Sequence, residues 1–175
     1  DMLSTLVDDI LDISDMESGK YRLNYAQCNA NDTCRKAIST VKFRCPDSVK
    51  MYMTTDLPDD FSFRSDPKRV EQVIINYLTN AVKHTNEGEI HLHVSDKENP
   101  GMLTFSVADT GEGVPADKAE FIFGRFEKLN TIKGGTGLGL AICRNIAGQL
   151  GGEAKLDTTY GPKGARFIFT HPVEK

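Results

Sequence analysis

The chain has 175 residues, of which 39% are hydrophobic and 26% charged, and its formal net charge is −4 at pH 7. This length suits one domain plus an appendage, and the hydrophobic fraction is enough for a core. The mildly acidic balance gives no general nucleic-acid footprint. No apolar run approaches a membrane span and no signal peptide is visible. We therefore expect a cytoplasmic domain, with any inner-membrane anchor of its parent protein in segments outside this sequence.

Two sets of residues of types that often bind metals give little indication of a metal site here. The cysteines lack metal-ligand spacing and fit reduced thiols in an intracellular protein; they are Cys28, Cys34, Cys45 and Cys143. His91 and His93 alternate along a predicted strand, which we interpret as a solvent-facing pair rather than a metal site.

In chain order, the apolar periodicity predicts a helix to about Met16, a strand near 21–25, a helix over 32–43 and strands near 49–54 and 61–64. A long helix follows to about Thr85, and then strands over 90–95 and 103–108. A helix from Leu138 and strands over 153–158 and 165–170 close the chain. The predicted fold class is α+β: a two-layer sandwich in which helices cover one face of a mixed sheet.

The long helix carries the first candidate site. Asp66 followed by Pro67 predicts its N-terminus, because aspartate caps a helix and proline fits the first helical position. Its buried face is predicted at Val70, Val73, Ile74, Tyr77, Leu78, Ala81 and Val82. Beside that face lies a polar stripe, formed by Arg69, Asn76, Asn80 and Lys83. Asparagine costs a helix roughly 0.5 to 0.7 kcal/mol relative to alanine, so two of them indicate a cleft, with a solvated polar face as the alternative.

Two further segments point to a bound ligand. Asp109 ends a strand in phase with the core, so its carboxylate either forms an Asx turn with Thr110 and Gly111 or accepts a hydrogen bond from a ligand. The glycine-rich run 134–139 opens a helix, where free N–H groups and the helix dipole favour phosphate. Its spacing matches neither the Walker pattern nor the dinucleotide fingerprint.

The segments NYLTNAVKHT (76–85), DTGEG (109–113) and GGTGLGL (134–140), with FIFGRFEK (121–128) between the last two, together resemble the catalytic ATP-binding domain of a sensor histidine kinase. The resemblance covers about residues 22–172. It implies the Bergerat fold that these kinases share with gyrase-type, mismatch-repair and heat-shock chaperone ATPases, and it implies ATP and Mg²⁺ as cofactors.

The resemblance also implies roles for individual residues. Asn80 would coordinate Mg²⁺, Asn76 would support that site and Lys83 would contact phosphate, and these three are the candidate catalytic residues. Asp109 would bind the adenine amino group. Phe121, Phe123 and Phe126 would anchor a lid. The remaining candidate contacts to ATP are His84, Gly111, Gly113, Lys128, Gly135, Thr136, Gly137, Leu138, Gly139 and Leu140.

Three features depart from the family pattern. His84 stands where the family usually has an aromatic ring, and Ala165 stands where it often has serine or threonine near the adenine. We expect both to tune affinity rather than abolish binding. The lid between Phe126 and Gly134 is short, and we expect it to be the most mobile region.

Residues 1–20 resemble the end of a dimerisation hairpin, and residues 21–175 the catalytic domain. The first helix carries an apolar stripe at Leu3, Leu6, Val7, Ile10, Leu11 and Ile13. None of the four histidines lies in the family's phosphoacceptor signature. We therefore expect the acceptor histidine on a dimerisation domain outside this sequence, a homodimeric parent, a response-regulator receiver as second partner, and no autophosphorylation by this chain alone.

Three other functions of the same fold stay open at this point: an anti-sigma-type serine kinase, a non-enzymatic nucleotide sensor and a hydrolysing ATPase. In the hydrolysing relatives a glutamate at the position of Asn76 activates water. Because an amide cannot accept a proton, Asn76 favours phosphotransfer over hydrolysis.

Overall fold

The computed structural model describes residues 2–124, 137–161 and 163–173. Its helices are α1 (Met2–Ser18), α2 (Ala30–Val41), α3 (Pro67–His84) and α4 (Gly139–Gln149). Its strands are β1 (Ala26–Asn29), β2 (Val49–Thr55), β3 (Ser62–Ser65), β4 (Gly88–Ser95), β5 (Met102–Asp109), β6 (Glu153–Leu156) and β7 (Ala165–Pro172). Short 3₁₀ turns lie at Lys42–Arg44, Ala116–Lys118 and Phe121–Phe123.

Five of the strands form a mixed sheet in the order β2-β4-β5-β7-β6. β2 runs parallel to β4, and the other neighbours are antiparallel. Helices α2, α3 and α4 pack on one face, so the predicted two-layer α+β architecture is confirmed. β1 and β3 form a separate antiparallel pair, which the sequence analysis did not anticipate.

Helix α3 lies at the centre of the helical layer, and its bounds agree with the sequence prediction. Asp66 caps it by accepting a hydrogen bond from the backbone N–H of Arg69 at 3.2 Å, and Pro67 follows as expected. The predicted apolar face is buried except for Val82, which is only partly covered. The hydroxyl of Tyr77 donates to the carbonyl of Ile168 in β7 at 2.9 Å, and this bond holds α3 against the sheet.

The strand predicted near residues 21–25 is wrong, because the first strand begins at Ala26. The chain first turns at the end of α1, where the N–H groups of Lys20 and Tyr21 both donate to the carbonyl of Asp15. Tyr21 then packs beneath the guanidinium of Arg69, 4.6 Å from its ring centroid. Tyr25, the other aromatic residue of the segment, lies beneath Arg64 of β3, so the alternation reflects side-chain packing rather than strand pairing.

Smaller differences concern the ends of other elements. The helix predicted to reach Phe43 stops at Val41 and continues as a 3₁₀ turn, which leaves the ring of Phe43 exposed. β6 ends at Leu156 rather than near residue 158. Within the described part of the chain, every helix is too short or too polar to span a bilayer.

Candidate functional site

The residues of the polar stripe on α3 contact two different elements, α4 and α1. Asn76, Asn80 and Lys83 lie half-buried on one side of the helix. The amide nitrogen of Asn76 donates to the backbone carbonyl of Gly139 at 3.3 Å, which joins α3 to the first residue of α4. Asn80 lies one turn further along, and its amide makes no hydrogen bond with the described residues. The asparagine helix and the glycine-rich helix start are therefore adjacent, although 63 residues separate them in sequence.

Arg69, the first member of the stripe, points elsewhere. Its guanidinium lies 3.5 Å from the carboxylate of Asp12 in α1, and the amide of Gln72 donates to the same carboxylate at 3.1 Å. Arg69 therefore holds α1 against α3. Its membership of the polar stripe reflects a contact within the chain.

The loop that follows β5 packs against the C-terminal end of α3. His84 Nδ1 and Glu112 Oε1 are 2.7 Å apart, and the N–H of Glu112 donates to the carbonyl of His84. A side chain on Gly111 would collide with that same carbonyl, so only glycine permits the approach. His84 thus lies at the junction of two predicted segments, and Glu112 is a partner that the sequence analysis missed.

Asp109 is 2% exposed at the end of β5. Its Oδ1 accepts a hydrogen bond from the N–H of Gly111 at 2.9 Å, so the Asx turn considered as an alternative is present. Burial raises the pKa of the Asp109 carboxyl, and the N–H groups of Gly111 and Ala165 lower it only in part. Ala165 lies beside Asp109 in the β5–β7 register, next to the residue whose predicted ligand is adenine.

The glycine-rich run begins a helix as predicted. Gly137 has a φ of +77°, Leu138 is buried, and α4 starts at Gly139. A Cβ on Gly139 would lie 3.7 Å from the Asn76 carboxamide, an ordinary contact. Leu140 is partly buried against the core. Four further predicted contacts lie outside the described residues: Phe126, Lys128, Gly135 and Thr136.

The aromatic residues ahead of the lid have different environments. Phe123 is buried against Phe167, with ring centroids 6.1 Å apart, whereas Phe121 is 40% exposed. Phe123 is therefore placed to anchor the segment, whereas the anchoring role of Phe121 stays a prediction. Arg144 of α4 lies over the Phe123 ring at 4.2 Å and forms an ion pair with Glu120 at 2.6 Å. Arg144 was missed because nothing in the sequence distinguishes it from a solvated helix arginine.

Cys143 lies behind Asn76 in the same junction. Burial raises the pKa of its thiol to about 12, and the side chain of Asn76 hydrogen-bonds to it. All four cysteines are unpaired thiols, as the sequence analysis expected. Cys143 is thus a protonated packing group and not a nucleophile.

Known proteins are similar to this chain in fold and in sequence. Residues 65–175 match the family described as histidine kinase-, DNA gyrase B-, and HSP90-like ATPase. The circadian input-output histidine kinase CikA of Synechococcus elongatus is 33% identical over 98% of this chain and 23% of its own length. Full-length ShkA, solved in complex with AMPPNP, superposes with a TM-score of 0.85 at 30% identity, covering 99% of this chain and 36% of that one. The catalytic domain of the histidine kinase ThkA gives a TM-score of 0.71 at 27% identity, covering 86% of this chain and 99% of that one.

The fold, the three adjoining segments and these similarities define a class: an ATP-binding catalytic domain of the histidine kinase, gyrase and Hsp90 type. The chain belongs to this family, as the catalytic ATP-binding domain of a sensor histidine kinase. The predicted family is thereby confirmed. The chain spans less than a quarter of the length of CikA and about a third of ShkA.

Proposed function

We propose that this domain binds Mg²⁺-ATP between α3, the loop after β5 and the start of α4. Its parent kinase then transfers the γ-phosphoryl group to a histidine on a dimerisation domain. The observation that carries the proposal is the hydrogen bond from Asn76 to Gly139, because it joins the asparagine helix to a glycine-rich helix N-terminus suited to phosphate. From the histidine the phosphoryl group would pass to the receiver domain of a response regulator.

Each side chain has a role that follows from its chemistry. Asp109 accepts a hydrogen bond from the adenine amino group through the carboxylate oxygen that does not bind Gly111. Lys83 contributes positive charge toward phosphate. The N–H groups at the start of α4 donate to phosphate oxygens.

The donor set fits Mg²⁺ in the way such ions usually bind nucleotides. Among the described residues no three histidine, cysteine or acidic side chains are grouped to form a protein cage. Mg²⁺ commonly takes one or two protein oxygens together with phosphates and water. The amide oxygen of Asn80, which has no hydrogen bond to the described residues, supplies one. When bound, the ion neutralises charge that develops on the phosphates.

The chemistry of Asn76 favours phosphotransfer over hydrolysis. Its carboxamide is engaged with Gly139 and has no basic group with which to deprotonate water. An imidazole nucleophile needs no such base, so alignment with the phosphate is sufficient for reaction. This difference favours a kinase over the ATPase alternative.

The apolar residues of helix α1 support the proposal that this domain has a dimerisation domain as its partner. One side of it, at Leu6, Ile13 and Met16, packs against the core of the chain. A second apolar side stays exposed, at Leu3, Val7, Ile10 and Leu11. A helix with two apolar sides packs between two neighbours, and we infer that a hairpin partner covers the second. The turn after Ser18 is the boundary between the two units.

Calorimetric titration with a non-hydrolysable ATP analogue in Mg²⁺ tests the nucleotide site. We expect binding by the native chain and a loss of about 10- to 100-fold in Asp109→Asn, because a hydrogen bond to a charged acceptor contributes about 1.5 to 3 kcal/mol. The matched control is Asp59→Asn, an exposed aspartate paired only with Arg35. Equal affinity in all three proteins would refute the site.

Phosphotransfer is tested in a chain extended through its own dimerisation hairpin. We expect acid-labile, base-stable phosphate on histidine after incubation with labelled ATP. Acid-stable phosphate would instead identify a serine kinase. Rapid release of inorganic phosphate without labelling would identify an ATPase, and binding without either reaction would leave a nucleotide sensor.

A further inference from the structure

The outer face of the sheet, opposite the helices, carries a cluster of side chains that nucleotide binding does not use. Strand alternation places Glu89, His91 and His93 of β4 on this face, beside Tyr52 and Thr54 of the edge strand β2. Both histidines are partly exposed and Thr54 is exposed. The sequence pattern alone indicated a solvent-facing pair.

The structure brings the two imidazoles to one point. His91 Nε2 lies 2.5 Å from Thr54 Oγ1, and His93 Nδ1 lies 2.6 Å from the same oxygen. The two ring centroids are 5.8 Å apart. A hydroxyl has a single proton, so it can donate to only one of these nitrogens, and the other ring must donate to it. A metal ion can accept the lone pairs of both nitrogens at once.

The ring of His91 is already held in place. Tyr52 stacks on it with centroids 4.6 Å apart and planes 12° apart, and the Tyr52 hydroxyl donates to Glu89 at 3.2 Å. Two imidazole nitrogens bound to one Zn²⁺ lie at most about 4 Å apart, since each Zn–N bond is about 2.0 to 2.1 Å. Because both nitrogens already contact the same Thr54 oxygen, we expect displacement of that hydroxyl and a small movement of the His93 side chain to suffice for this spacing.

We propose that His91 and His93 form a bidentate chelating site on the outer sheet face for a divalent transition-metal ion of the Ni²⁺, Cu²⁺ or Zn²⁺ class. Imidazole suits these ions and not Mg²⁺, so the site is chemically distinct from that of the nucleotide cofactor. No third histidine, cysteine or acidic ligand is grouped with them among the described residues, so water or the Thr54 hydroxyl completes the coordination.

Isothermal titration with NiCl₂ tests the site, using the nucleotide-free chain with no affinity tag. The partly buried thiol of Cys45 is replaced by Cys45→Ser in every protein, because it is a competing ligand. We expect one Ni²⁺ per chain and no competition by Mg²⁺. His91→Gln and His93→Gln should each weaken binding by at least about tenfold, because the second imidazole binds intramolecularly at a high effective concentration.

Lys155→Gln is the control, since this exposed residue of β6 lies away from β2 and β4 and its loss should leave Ni²⁺ binding unchanged. Thermal unfolding gives a second measurement: Ni²⁺ should raise Tm in the parent and in Lys155→Gln but not in the histidine variants. Unchanged Tm without metal would show that the variants fold. Absence of binding in the parent, or equal affinity in either single histidine variant, would overturn the proposal.

Discussion

The two ends of helix α3 use the same kind of polar stripe in opposite ways. At the N-terminal end, Arg69 and Gln72 bind Asp12 of α1 and are committed within the chain. At the C-terminal end, Asn80 has no hydrogen bond among the described residues, and Asn76 binds only the α4 junction. A polar stripe beside a buried face can therefore include residues committed to contacts within the chain as well as residues that we propose contact a ligand. Arg69 and Gln72 differ from Asn80 in having a partner on another element among the described residues.

Asn80→Ala is expected to have the largest effect on nucleotide affinity. Removal of the proposed Mg²⁺ ligand should weaken Mg²⁺-ATP binding by about 100-fold or more, since contacts to charged groups contribute about 1.5 to 3 kcal/mol and the ion also orders the phosphates. The free energy of unfolding should stay within about 0.5 kcal/mol of the native value, because the Asn80 amide has no hydrogen bond to lose among the described residues. Calorimetry and urea denaturation measure the two quantities.

Asn145→Ala on α4 is the control, because it deletes an exposed helix asparagine whose amide oxygen accepts a hydrogen bond from the nearby Gln149. If Asn80→Ala bound Mg²⁺-ATP normally, or unfolded as readily as a core variant, the division of α3 into two functional ends would be wrong.

Asp109→Asn should weaken nucleotide binding without lowering the stability of the fold. The raised pKa of Asp109 means that its contribution to stability is greatest below the unfolded-state pKa of 3.8 and is lost as pH rises through the raised folded-state value. At neutral pH the ionised carboxylate is therefore unfavourable for folding. The variant should have a Tm equal to or above the native value at pH 7.5, despite its weaker binding of nucleotide.

Scanning calorimetry from pH 7.5 to pH 4 checks this expectation. The advantage of the variant should shrink as pH falls through the raised folded-state pKa, because the native carboxyl then becomes neutral as well. A Tm several degrees below native at pH 7.5 would contradict it, and would mean that Asp109 is structural.

Arg69→Met tests the other end of the helix. It removes an ion pair with Asp12 and a cation–π contact with Tyr21, both partly buried, and should cost about 1 kcal/mol of stability. Hydrogen exchange should accelerate in α1, whereas the affinity for Mg²⁺-ATP should not change. Arg35→Met, which breaks only exposed pairs, should have no measurable effect on either. A loss of nucleotide affinity in Arg69→Met would mean that the two ends are coupled.

His84→Gln is expected to have the smallest effect. The His84–Glu112 pair is substantially exposed on the Glu112 side, so its loss should weaken nucleotide binding only about two- to threefold, through loosening of the loop after β5. Competition with a fluorescent nucleotide analogue measures a change in affinity of this size. A loss as large as that of Asp109→Asn would assign His84 a direct contact with nucleotide.

Local chemistry explains which parts of the fold were predictable. The start of α3 was predicted to the residue because Asp66 and Pro67 are strong N-terminal features and the apolar period continues for five turns. β5 was predicted within one residue at each end for a similar reason, since it alternates without interruption. Residues 21–25 alternate as well, yet Tyr21 packs against Arg69 and Tyr25 against Arg64, and periodicity does not distinguish packing from strand pairing.

The candidate site was predictable in its segments but not in its contacts. Asn76, Asp109 and Gly139 were predicted because each is unusual in its element. Asn76 is an asparagine within a helix, Asp109 a carboxylate on the core side of a strand, and Gly139 part of a glycine run at a helix start. Glu112 and Arg144 were not, since an acidic residue in a turn and an arginine on a helix are ordinary in sequence. Their partners lie 21 or more residues away, a distance at which no local pattern operates.

The bond between Tyr77 and Ile168 also constrains the order in which the molecule can assemble. During synthesis α3 emerges 91 residues before the carbonyl to which its tyrosine must donate. Until β7 is made, that hydroxyl has no partner and the ring lacks Phe167 beside it, 5.4 Å away in the finished fold. Contacts so distant in sequence form late. We therefore expect a nascent chain to bind nucleotide poorly until β7 has joined the sheet, because Tyr77 cannot hold α3 against the sheet before then.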